Sequence, residues 1–381
     1  MRISNTDRVL LSHGGGGRRT EELIKRIFAK YLGNPILNQM DDAAVLHLSL
    51  RPSGRGVGGE GGKTSTASQR RTDVDESPHP NPRTHSPRPF DGSKCDLVLT
   101  TDSFVVKPIF FSGGDIGRLA VCGTVNDIAV MGARPLALSA AFILEEGLEF
   151  DKLERVVRSM AETLDEVGVP IVAADTKVVE RGRAERLYIS MAGIGRIEVS
   201  PAPSMSRIEP GDVLIINGPI GLHGLAVMLE RQGMEFEGRI ESDVAPLWSL
   251  IESVLSPEIK FMRDPTRGGL AMTLNEIADK TGLGVEIDES KIPLTPEVEM
   301  VSELLGIEPI EIANEGKVLM VVAREAADRI VESLRRHPLG RDAAIIGEIT
   351  ESHPGKVVMI TKLGTTKIIT KPVGEALPRI C

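Results

Sequence analysis

Cysteine is scarce in this chain, with three residues in 381: Cys95, Cys122 and Cys381. An odd number without metal-like spacing argues against a disulfide framework or a zinc site, so each thiol must be read singly. Long hydrophobic runs are also missing. Nowhere do about 18 apolar residues follow one another, the length a membrane-spanning helix needs, and the opening MRISNTDRVLLSHGGGG has no apolar stretch of signal-peptide length. A cytoplasmic protein without a membrane partner is expected. Excess positive charge is absent too: with a formal net charge of -9 there is no general attraction for nucleic acid or anionic lipid. Any anionic substrate must be held by local groups, with magnesium as the obvious helper.

The length and a hydrophobic content of 41% suffice for two separate cores. Residues 51–94 are rich in Gly, Pro, Ser and charge and nearly free of aliphatic side chains, so they are expected to be a disordered insertion between two paired strands, 43–50 and 96–103. After it the patterning predicts a mostly apolar helix over 115–133, a strand over 135–144, an amphipathic helix over 151–168 and a strand pair, 169–176 with 186–197. A turn-rich break over 198–212 puts the domain boundary near residue 200, giving an N-terminal domain 1–199 and a C-terminal domain 200–370. The C-terminal half again alternates strands and helices, ending on a strand KIITK. Residues 371–381 then form a tail whose Pro372 and Pro378 disfavour a helix.

Several constellations carry possible chemistry. The run of Gly14, Gly15 and Gly16 before a helix with apolar Leu23, Ile24, Ile27, Phe28 and Tyr31 is either a phosphate-covering loop or a flexible linker; it lacks the Lys-Ser/Thr of a Walker loop. Asp41, Asp42, Asp102, Asp127 and Asp175 sit at strand ends or among small residues. Such oxygen ligands suit magnesium, although a single aspartate there is more often a cap or turn residue. Asn126 and Asp127 interrupt a helix that is apolar on nearly every side, where a lone polar group costs a few kcal/mol. They need a partner, which a metal, a nucleotide, an internal salt bridge or a cap on a neighbouring element would supply. Lys177 is either a phosphate-neutralising group or a solvated lysine. Asp264 and Thr266 are expected to cap a helix opening on Gly268 and Gly269. Glu315, in ANEGK between the predicted strands IEPIEIA and VLMVVA, either sits in a tight turn or points into a cleft as a base. Cys381 is an inert thiol or a nucleophile; a prenylation box would need its cysteine fourth from the end, and this one is final.

Taken in order, HGGGG, DDAAV, TTDSF, GGDIGRLAVCGTVNDIAVMGA, AADTKVV, DPTRGGLA, NEG and PRIC resemble the HypE family of hydrogenase maturation proteins along almost the whole chain outside 51–94. The first seven motifs occur more loosely in the superfamily of aminoimidazole ribonucleotide synthetase, selenophosphate synthetase and thiamine-monophosphate kinase; PRIC is particular to HypE. The resemblance implies an α+β class, two-domain PurM-like fold, with an N-terminal α+β domain forming a dimeric β-barrel and a C-terminal α/β domain. It implies Mg2+ and ATP at a site including Gly14, Gly15, Gly16, Asp42, Asp102, Asn126, Asp127 and Asp175, with Asp42, Asp102, Asp127 and Asp175 as metal ligands. Lys177 and Glu315 would adjoin a carbamoyl group that HypF loads onto Cys381. Dehydration would give a thiocyanate, passed to a HypC-HypD complex, and the chain would be a homodimer.

On that reading Glu315 is the general base, Lys177 stabilises charge growing on the thiocarbamate oxygen, and Cys381 is the carrier. Two other readings remain: a small-molecule kinase or ligase of the same superfamily with an incidental Cys381, and a non-catalytic nucleotide-binding maturation scaffold.

Overall fold

In the structure, a computed structural model, residues 8–13, 22–34, 37, 96–234 and 240–372 are described. Gly14, Gly15, Gly16, Asp41, Asp42, the 43–50 strand, Cys95, the 51–94 insertion and Cys381 lie outside the described residues.

The N-terminal half is a four-stranded sheet with two helices on one face. Its elements are β1 (Leu97–Phe104), α1 (Ile116–Ala129), β2 (Ala133–Glu145), α2 (Phe150–Val167), β3 (Ile171–Val179) and β4 (Leu187–Ile197), and the strand order is β1-β4-β2-β3. Asp115 starts α1, its Oδ1 accepting from the amides of Gly117 and Arg118 at 2.7 and 3.1 Å. α1 is buried nearly all round because it packs on β1, β4 and α2 and also meets the short helix Trp248–Glu252 of the C-terminal half; that explains a sequence without a polar stripe. The expected pairing of 169–176 with 186–197 is corrected: β2 lies between them, parallel to β3 and antiparallel to β4. The 13–32 helix is seen over its second part, as a π-helix Ile24–Phe28 running into an α-helix Ala29–Leu32, with Leu23, Ile27, Phe28 and Leu32 buried.

The C-terminal half holds β5 (Val213–Ile216), α3 (Leu222–Gln232), β6 (Ile259–Arg263), α4 (Gly269–Thr281), β7 (Gly284–Asp288), α5 (Pro296–Leu305), β8 (Leu319–Val322), α6 (Ala327–Arg335), β9 (Ala344–Thr350), β10 (Val357–Ile360) and β11 (Thr366–Ile369). They form a seven-stranded sheet ordered β11-β10-β7-β9-β5-β8-β6. Only the β10–β7 pair is parallel, so the α/β expectation gives way to a mixed, mainly antiparallel sheet. Alternation of strands and helices along a chain does not set the direction in which strands pair, and here β5 pairs with β8 and β9, far along the sequence.

Two further expectations are corrected. IEPIEIA is not a strand: Pro309–Glu311 is a 3-10 turn, as suits a proline that has no amide to give a ladder. Neither sheet closes into a barrel among the described residues, and the N-terminal sheet is open at β1 and β3.

Candidate active site

Glu315 sits in an irregular loop that the fold grips by its backbone. Asn314 accepts from the Gly221 amide at 2.8 Å and donates to the carbonyls of Pro265 and Ile312, each at 3.0 Å. Asn217 donates to the Gly316 carbonyl at 3.2 Å and accepts from the Val318 amide at 2.8 Å. From the N-terminal half, Asn126 donates to the carbonyls of Glu315 and Ala245 at 3.2 and 3.1 Å and accepts from the Leu247 amide at 2.8 Å. The partner that Asn126 needed is backbone, and the amide joins the two halves.

The Glu315 residue is 3% exposed, and its Oε1 has no hydrogen-bond partner among the described residues. Space for the carboxyl comes from Gly123 on α1, where an added Cβ would lie 3.9 Å from Glu315 Oε2 and 2.8 Å from Phe104. The carboxyl opens into a cavity of about 480 Å³ walled by β1, α1, the 263–267 segment and α4, with Asp102, Asp127, Asp264, Arg263, Arg267 and Glu276 in its lining. Five carboxyls, those of Asp102, Asp127, Asp264, Glu276 and Glu315, share this space. Burial, then the charges of Asp264, Asp243, Asp102 and Asp127, raise the Glu315 pKa well above the carboxylate range. Burial, and next the charge of Asp127, push Asp264 up to about 7. Asp127 is raised by burial too, against which its hydrogen bond from the Thr100 hydroxyl at 2.7 Å acts.

The chain thus brings together Asp102, Asp127 and Glu315 of the expected residues, but not Asp175 and Lys177. In a strand, side chains alternate between faces. The register aligns Asp175 with Ala141 and Ser190, and across from Ser103, so it shares the outer face of the sheet, whereas Thr100 and Asp102 point to the α1 side. Lys177 follows Asp175 on that outer face and pairs with it at 3.0 Å, both side chains about two-thirds exposed; this hydrogen bond lowers the Asp175 pKa.

Capping by Asp264 and Thr266 is corrected as well. α4 starts at Gly268 in the left-handed region (φ 73°) without a side-chain cap, which leaves Asp264 as a cavity wall. Sequence reasoning missed Asp264 and the arginines Arg263 and Arg267 as site residues. Their adjacency to a glycine-opened helix was the available signal. Arg263 reaches Glu276 at 2.8 Å, and both arginines bear on Asp127. Among the described residues, no group of three or more His, Cys, Asp or Glu side chains forms a ready-made metal cage, and no helix is long and apolar enough to cross a membrane.

The AIR synthase related protein family matches twice, its N-terminal domain over residues 88–197 and its C-terminal domain over 209–360. The carbamoyl dehydratase HypE of Rhizobium leguminosarum bv. viciae is 42% identical over 377 residues, covering 98% of this chain and 95% of the relative. A hydrogenase maturation protein HypE crystallised in complex with ATP is 40% identical, with a TM-score of 0.83 and 98% and 99% of the two chains covered. A HypE solved in a HypE-HypF complex is 42% identical, with a TM-score of 0.71 over 92% of this chain and 99% of that one. Identity at this level along nearly the full length, together with the matching two-domain PurM-like architecture, establishes that the chain belongs to the carbamoyl dehydratase HypE family.

Proposed function

We propose that this chain is an ATP-dependent carbamoyl dehydratase of hydrogenase maturation, which turns an S-carbamoyl group on Cys381 into an S-cyanate. The observation that carries the reading is the Glu315 carboxyl, buried and with one oxygen lacking a partner among the described residues, in a cavity that also presents aspartates and arginines. A carboxylate whose pKa is raised by burial is a stronger base than a solvated one, which suits it to take protons from a weak N–H acid, and a positioned base contributes typically 10²- to 10⁴-fold. In the reaction the thiocarbamate oxygen gains a phosphoryl group and leaves as phosphate, while the two N–H protons are removed to leave C≡N. Glu315 accepts them one at a time, releasing the first to solvent before it takes the second.

ATP and Mg2+ fit the donor set. Carboxylate oxygens of Asp102 and Asp127 suit magnesium, which usually takes one or two carboxylates and completes its shell with phosphates and water, and Arg263 and Arg267 suit phosphate oxygens. Bound there, the pair supplies the phosphoryl group and neutralises its charge. Asp42 and Gly14, Gly15 and Gly16 remain proposed contributors.

The carrier role of Cys381 is supported by the path of the chain. Lys371 pairs with Asp279 on α4, and Pro372 runs past the start of that helix, its Cγ 3.7 Å from where a Gly268 Cβ would lie. Met272, beside the same point, lines the cavity. The residues after Pro372 span roughly 30 Å when extended, which suffices to bring the thiol of Cys381 to Glu315.

A homodimer, with the barrel its two sheets would make, is supported by the outer face of the N-terminal sheet, where Leu97, Leu99 and Ile143 are 47%, 78% and 40% exposed. Lys177 lies on this face, so we assign its action on the carbamoyl oxygen to the cavity of a neighbouring copy. Loading by HypF and delivery to a HypC-HypD complex, in the cytoplasm, complete the proposal. The test is the intact mass of the C-terminal peptide after incubation with HypF, carbamoyl phosphate and ATP. A cyanide-sized adduct is expected in the wild-type chain and a persisting carbamoyl adduct in Glu315→Gln. A kinase would instead turn over ATP on a free metabolite without Cys381, and a scaffold would give no cyanide adduct.

A further inference from the structure

Behind the loop that carries Glu315 lies a second cavity, of about 360 Å³, lined by Asp243, Lys317, Asn217 and Leu339 among others, and separate from the one that holds the carboxyl. At its floor is a buried ion pair, Lys317 Nζ to Asp243 Oδ2 at 3.1 Å, with side chains 10% and 3% exposed. Neither residue lines the Glu315 cavity. The Asp243 carboxylate does more than meet the lysine: its Oδ1 accepts from the Glu315 amide at 3.2 Å and its Oδ2 from the Gly316 amide at 3.3 Å. Two consecutive amides are thus held by one carboxylate. The approach is close, since a Cβ on Gly316 would fall 1.8 Å from the Asp243 carbonyl oxygen, so only glycine lets the 243–245 segment lie flush against the loop.

Resting on the role proposed for Glu315, we infer that Asp243 is a positioning residue for dehydration: its grip on the Glu315 and Gly316 amides sets the direction of the Glu315 carboxyl, while Lys317 on the far side offsets the cost of burying the Asp243 charge. Asp243 touches neither the carboxyl of Glu315 nor its cavity; its contacts with the loop are to the backbone, beside the longer-range charge with which it helps to raise the Glu315 pKa. A displacement of about 1 Å in a reacting group costs on the order of 10²-fold in rate; each N–H has its own carboxylate oxygen, and an asparagine puts an NH2 donor in place of one of them, so that one of the two N–H groups loses its acceptor.

The experiment compares four full-length variants, Asp243→Asn, Lys317→Met, the double variant and Glu315→Gln, each loaded by HypF. Thermal midpoint, ATP affinity, carbamoyl adduct and single-turnover dehydration rate are measured for each. Lys317→Met leaves a buried charge unpaired and should be the least stable, with the double variant regaining stability. The positioning role predicts that Asp243→Asn and the double variant both dehydrate about 10- to 100-fold more slowly, with ATP affinity and adduct unchanged, while folded Lys317→Met stays within a few-fold of wild type. Rates that instead follow stability, recovering in the double variant, overturn it and leave a structural ion pair. If Glu315→Gln blocks dehydration and Asp243→Asn does not, this inference fails alone; wild-type dehydration by Glu315→Gln removes the role of Glu315 on which it rests.

Discussion

Replacing Asn126 by alanine separates two roles that one side chain can have in such a site. The amide makes three hydrogen bonds, at 3.1, 3.2 and 2.8 Å, to backbone groups of Ala245, Glu315 and Leu247, and the residue is 2% exposed. Truncation leaves buried backbone groups behind, each costing about 1–3 kcal/mol when unmade. The Glu315 carbonyl keeps a second donor in the Ala245 amide at 3.4 Å, so the total should stay near about 3–5 kcal/mol. For a chain of this size that is a fall of roughly 4–6 °C in thermal midpoint. Circular dichroism melting gives the first number and calorimetric titration with ATP at a temperature where the variant is folded gives the second. The structure predicts a large loss of stability with ATP affinity preserved within a few-fold. An unchanged midpoint with lost ATP affinity would refute the backbone role and return Asn126 to the nucleotide.

Other consequences follow from the same geometry. The Asp264 pKa is raised from 3.8 to about 7 on folding; folding favours its protonated form, so its contribution to stability is full below pH 3.8 and is lost as pH rises through 7. Asp264→Asn should therefore be more stable than wild type at pH 8 by up to about 4 kcal/mol, an advantage that shrinks on going to pH 5. Urea unfolding in chelator at both pH values checks this, and a difference that does not change with pH contradicts it. If Lys177 serves a neighbouring copy, mixing Lys177→Ala with Glu315→Gln protomers should restore part of the dehydration each lacks, whereas no recovery after verified subunit exchange excludes action across the contact. Excision of 51–94 should leave the dehydration rate unchanged, and an inactive but folded deletion would count against treating that segment as an inert insertion.

The helices and most strands were legible because their periodicities are strong: α1 and α2 start within a residue or so of where the patterning put them. What the pattern did not carry was which strand pairs with which. β2 stands between β3 and β4, and that pairing is decided by contacts distant in sequence. The same blindness affects the site. Asp102 and Asp175 look alike in sequence, each an aspartate in a strand among small residues, yet the pleat puts one beside α1 and the other on the outer face. Asp264 read as a cap because aspartate before a helix usually is one; Gly268, with its positive φ, took the cap position and freed the carboxyl. Glu315 was legible as an alternative, base or turn residue, and burial is what sets the two apart.

The arrangement separates the groups that hold from the group that reacts. Asn126, Asn217, Asn314 and Asp243 all bind backbone atoms of the 312–318 segment, so the position of the loop does not depend on whether the Glu315 carboxyl is charged. A carboxyl fixed by its own hydrogen bonds would have to break them to change protonation, and for a buried group that would cost about as much as the bonds are worth. Fixing the backbone instead leaves Oε1 without a partner among the described residues, and the raised pKa follows from the same burial. The surrounding carboxyls of Asp102, Asp127 and Asp264 add to that cost in the protein alone. Arg263 and Arg267 offset part of this like charge, and the rest suits a ligand that brings positive charge, so the proposed magnesium nucleotide chemistry rests on the cluster rather than on any one of its members.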